Sequence, residues 1–90
     1  QALMFMNSHQ GRAYAEALAS KLKNKPDSIV AGYRLAFGRE PSIDERQLAE
    51  QFVQNQSTEY RDAGRTDADK LALADLCQTL FSMNEFVYVD

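Results

Sequence analysis

A glycine, a proline and a serine within five residues fix one corner of this chain. Ile29, Val30, Tyr33, Ala36 and Phe37 repeat at the three- and four-residue spacing of a helix face. Gly38 follows where a helix closes through a left-handed residue, a conformation glycine reaches without a Cβ clash. Pro41 cannot continue a helix. Ser42-Ile43-Asp44-Glu45 then has the spacing of a capping box. In it the Ser42 oxygen accepts from the Glu45 amide while the Glu45 carboxylate reaches back. Asp44 and Glu45 also suit the positive end of the helix dipole. The segment predicts helix, corner, helix.

The same reading extends both ways. Ser8 to Lys23 carries a stripe of Ala13, Tyr14, Ala17, Leu18 and Leu22. Asn7 is placed to cap it, with Gln10 three positions on, and Asn24 to Pro26 end it. Asp27 or Ser28 starts the second helix. The third carries Ile43, Leu48, Ala49, Phe52 and Val53 and is expected to end near Gln56. Ser57 to Arg65 is polar, contains Gly64 and reads as a loop, with a turn of helix around Glu59 to Asp62. Thr66 or Asp67 caps a last helix from about Ala68 to Met83, with an apolar face of Leu73, Leu76, Cys77, Leu80 and Phe81. Gln1 to Met6 reads as the end of another helix. Phe86-Val87-Tyr88-Val89 alternates and reads as an extended tail over the bundle. The expected fold is all-α: a small antiparallel bundle of about four helices with an extended C-terminal tail.

Ninety residues suit one domain, residues 1–90, read as the C-terminal module of a longer protein. With 44% hydrophobic and 26% charged residues the chain is globular in composition, and it lacks an apolar run of membrane-spanning length. Net charge is −3, a poor match to phosphate backbones. Lys21, Lys23 and Lys25 cluster, but they decorate a helix C-terminus, where the dipole favours cations. Cys77 is the single cysteine, so neither an internal disulfide nor a CxxCH haem attachment can form.

Candidate chemistry is sparse. His9 has no Cys or carboxylate at ligand spacing. Asp62, Asp67 and Asp69 miss the calcium-loop pattern, and capping accounts for two of them. Cys77 lies on an apolar stripe and reads as core. Asp44, Glu45 and Glu50 share one exposed helix surface. Arg46, Gln47, Gln51 and Gln54 could read bases in principle, yet those three acids share their helix. Asn55-Gln56-Ser57 fits the glycosylation tripeptide. Arg39 has no backbone duty at the corner and is expected to pair with a carboxylate such as Glu85 or Asp90. Leu3, Met4, Phe5 and Met6, with Ala2, form an almost continuous apolar run, which reads as a contact surface prone to weak self-association.

Three stretches carry a resemblance: Ala2 to Ser8, Tyr33 to Glu45, and Ala72 to Asp90 with its closing Asn84-Glu85-Phe86-Val87-Tyr88-Val89-Asp90. Together they resemble the C-terminal region of a large family of planctomycete proteins. Its members often accompany a planctomycete-type cytochrome c domain, and the region is a domain of unknown function. The resemblance implies an exported, multi-domain bacterial parent and no catalytic residues to carry over. Relatives more often read Leu-Leu near Met4 to Met6, a difference that touches packing only. Two functions follow as expectations. One is a structural or interaction module that docks on the rest of its parent or on another protein, without cofactor, nucleic acid or membrane. The other is an accessory part of an enzyme or redox protein whose active site lies upstream.

Overall fold

The structure is a computed structural model and describes residues 8–84. Among them are four helices: α1 (Ser8–Leu22), α2 (Ser28–Phe37), α3 (Ile43–Asp62) and α4 (Ala68–Asn84). The corner forms as the residues dictate. The Asp27 carboxylate accepts from the Val30 amide to start α2, and Gly38 closes it at φ 71°. Both arms of the Ser42–Glu45 capping box are present. The Asp67 carbonyl opens α4 by accepting from the Leu71 amide.

The helices form an antiparallel bundle. Along the α3–α4 seam, Gln56 meets Asp75 and Arg61 meets Asp69, so one helix descends as the other rises. The backbones of α2 and α4 each pack against every other helix, whereas those of α1 and α3 do not pack against each other. α4 is therefore flanked by α1 and α3 and is buried on most of its circumference, with Leu71, Ala72, Leu73, Ala74, Leu76, Cys77 and Leu80 all in the interior. A helix apolar nearly all round belongs at the centre of a small fold.

Three expectations need correction. α3 does not end near Gln56; it runs 20 residues to Asp62, and the expected loop from Ser57 is helix for two further turns. Its inward stripe continues as Gln56, Ser57 and Tyr60, polar residues that find partners on α4. The turn comes at Gly64, at φ 85°. On α1 the buried face is Gly11, Ala15, Ala19 and Leu22 rather than Ala13, Tyr14 and Ala17, which are exposed. Small residues let α1 lie close to α4, and a stripe judged by side-chain size misses that face. Ile43 and Leu48 are 77% and 69% exposed rather than core. α3 buries Ala49 fully and Phe52 and Val53 in part. The expected Gln1–Met6 helix end and the extended tail lie outside the described residues.

Candidate functional site

Asp75 is the one acid within the apolar run Leu71 to Cys77. Its backbone is fixed by the centre of α4, which aims its half-buried carboxylate between the flanking helices. From α1, Arg12 donates to Oδ1 over 2.6 Å. From α3, Tyr60 donates its hydroxyl over 3.0 Å and Gln56 its amide over 2.8 Å to Oδ2. Arg12 also reaches Gln78 Oε1 at 3.2 Å and Glu16 at 3.0 Å. Burial, which alone would lower the Arg12 pKa, is outweighed by the hydrogen bond and charge of Asp75, and the net shift is upward. Burial, and then the bond to Asp75, hold the Tyr60 hydroxyl protonated above its ordinary range.

Beside this cluster runs an open groove of about 680 Å³ between α3 and α4. Phe52, Gln56 and Tyr60 form one wall; Asp75, Gln78, Thr79, Ser82 and Met83 form the other. Its chemistry is that of a hydrogen-bonding cleft with apolar wall from Phe52 and Met83. The carboxylate is already matched by a cation and two neutral donors, and among the described residues lining the groove there is no second carboxylate or histidine to act as an acid–base partner.

The sequence-predicted residues fall elsewhere. Leu3, Met4, Phe5, Met6 and Glu85 lie outside the described residues, as does the side chain of His9. The expected partners of Arg39, Glu85 or Asp90, thus lie outside the described residues; among those described, Arg39 makes a two-pronged contact to Glu45 at 2.8 and 2.9 Å. It also stacks over Tyr33 and Phe37 at 5.8 and 5.5 Å. The Arg39 bonds and the Ser42 amide lower the Glu45 carboxyl to a pKa of about 2. Arg46 pairs with Asp27 and Glu50, which ties the start of α2 to α3. Asp69 binds Ser57 and Arg61, and those bonds lower its pKa. Asp67 accepts from Arg65. Among the described residues no three metal-ligating side chains converge. Cys77 is buried, and desolvation raises its thiol to a pKa of about 11. Ser57 of the glycosylation tripeptide is buried inside α3.

Sequence reasoning passed over Arg12, Tyr60, Asp75, Gln56 and Gln78. The available signal was Asp75 itself, since a charge amid six apolar helical residues needs a partner on a neighbouring element.

Comparison of the chain with family models, curated proteins and solved structures returned no match.

Proposed function

We propose that this chain is a structural and protein-interaction module of a larger exported bacterial protein, with no catalysis of its own, and that it docks on the remainder of that protein or on a separate protein. The observation that carries the reading is the surface of the α2–α3 corner. Leu35, Ile43 and Leu48 are more than half exposed there. The corner's arginines, meanwhile, are each engaged by a carboxylate of the chain itself: Arg34 by Glu40, Arg39 by Glu45 and Arg46 by Asp27. A surface whose cations are internally neutralised and whose aliphatic side chains face water suits contact with protein. The likeness of the Tyr33 to Glu45 and Ala72 to Asp90 stretches to the planctomycete family supports an exported, multi-domain setting.

The test compares the 90-residue chain with the intact protein that contains it. Isoleucine and leucine methyls are labelled and a soluble paramagnetic agent is added. Docking predicts that Leu35, Ile43 and Leu48 methyls broaden strongly in the isolated chain and are shielded in the intact protein or its complex. Equal broadening in both would remove the basis for the reading.

A further inference from the structure

The Asp75 cluster does more than tie helices together, because it orients two amides beside the groove. Gln56 Nε2 is taken by Asp75 Oδ2, so its Oε1 is left as an acceptor. Gln78 Oε1 is taken by Arg12, so its Nε2 is left as a donor. Neither of these remaining atoms has a hydrogen-bond partner among the described residues. They stand on opposite walls, Gln56 on α3 and Gln78 on α4. An acceptor on one wall and a donor on the other are the complements of the N–H and C=O of a peptide unit. Phe52 and Met83 add apolar wall, Met83 being half exposed. The groove therefore has the pattern of a cleft for extended peptide, where backbone bonds give affinity and apolar positions accept alternate side chains.

We propose that this groove is a built site for an extended peptide and that its occupant is residues 85–90 of the same chain. Position and reach carry the choice. Ser82 and Met83 line the groove, and residue 85 follows Met83 by only two positions. From Met83 back to Asp75 the α4 wall spans about 12 Å at a helical rise of about 1.5 Å per residue. Six extended residues reach about 20 Å, enough to turn and run back along it. Chemistry agrees: in Glu85-Phe86-Val87-Tyr88-Val89-Asp90 the two aromatic side chains fall on one side of an extended strand and the two valines on the other. The aromatic side faces Phe52 and Met83, and the backbone meets Gln56 and Gln78. This placement is independent of the corner surface proposed for docking.

The test is made on the full 90-residue chain with labelled methionine methyls. Nuclear Overhauser contacts are expected from the Phe86 and Tyr88 rings to the Met83 methyl and the Phe52 ring. Truncation after Asn84 should abolish those contacts and shift the Gln78 side-chain amide. The synthetic peptide Glu-Phe-Val-Tyr-Val-Asp, added to the truncated chain, should shift that amide back. Should the truncated chain fail to fold, the contacts in the full chain decide alone. Contacts of the two rings to α1 or α2, or none at an assigned Met83 methyl, overturn the proposal. So do contacts seen only between differently labelled molecules, which would place a second copy in the groove.

Discussion

Arg12 on α1 and Tyr60 on α3 hold the same carboxylate, Asp75, although the backbones of their helices do not pack against each other. The link between the outer helices is thus polar and passes through the central one. Removing Asp75 would leave the Arg12 charge half-buried with only Glu16 to answer it. Asp75→Ala should cost about 2–3 kcal/mol, below the full penalty of breaking a buried pair because Arg12 keeps some water. Tyr60→Phe should cost about 1 kcal/mol. Urea unfolding monitored by circular dichroism measures both, and a double replacement by Arg12→Met and Asp75→Leu should recover much of the first loss.

Acid should loosen the corner. Glu45 titrates near 2 in the folded protein against an ordinary value of 4.5. A depressed folded pKa means stability that is present above the unfolded value and lost as pH falls through the folded one. Asp27 and Asp69 shift in the same direction. The urea midpoint should therefore decline from about pH 5 to pH 2. Glu45→Gln should flatten part of that slope, and a carboxyl titration by NMR that put Glu45 near 4.5 would contradict the Arg39 contact.

Two glycines should respond oppositely to alanine. At Gly32, buried in α2, a Cβ would meet Leu80 and Leu22 methyls at 3.6 and 3.7 Å, ordinary contact distances. The helix then gains propensity, and Gly32→Ala should stabilise by about 0.5–1 kcal/mol. Gly38 sits at φ 71° with open space around it, so strain alone decides, and Gly38→Ala should destabilise by about 1 kcal/mol. Thermal melts of the two variants check the pair.

Cys77 should react with a thiol reagent only as fast as the fold opens. Its thiol is buried and its pKa is near 11, so little thiolate exists at neutral pH. Cys77→Ala should cost about 1–2 kcal/mol by leaving a small void. Modification at the rate of a free thiol in the absence of denaturant would contradict the packing.

What the sequence disclosed was local. Asp27, Gly38 and the Ser42–Glu45 box act within a turn of themselves, and each cap forms where its residues call for it. The last two turns of α3 were hidden because Gln56, Ser57 and Tyr60 look like solvent-facing residues until α4 supplies their partners. The α1 contact was hidden for a different reason. Ala15 and Ala19 carry little hydrophobic weight singly, yet their small size sets how closely two helices approach, whereas the larger Tyr14 leans outward onto the edge of Phe81. The Asp75 cluster combines both difficulties, since it joins residues up to 66 positions apart.

That separation has a temporal meaning. A ribosome completes α1, α2 and α3 before it begins α4, yet the backbones of α1 and α3 do not pack against each other. Until α4 emerges, α1 has only the short α2 to lean on, and Arg12 has no Asp75. Helices of 10 to 15 residues are marginal alone in water. The segment α1 to α3 should therefore stay largely unstructured until α4 has been made. These helices should acquire their fold in a single step once α4 is available, and α1 should be secured only then.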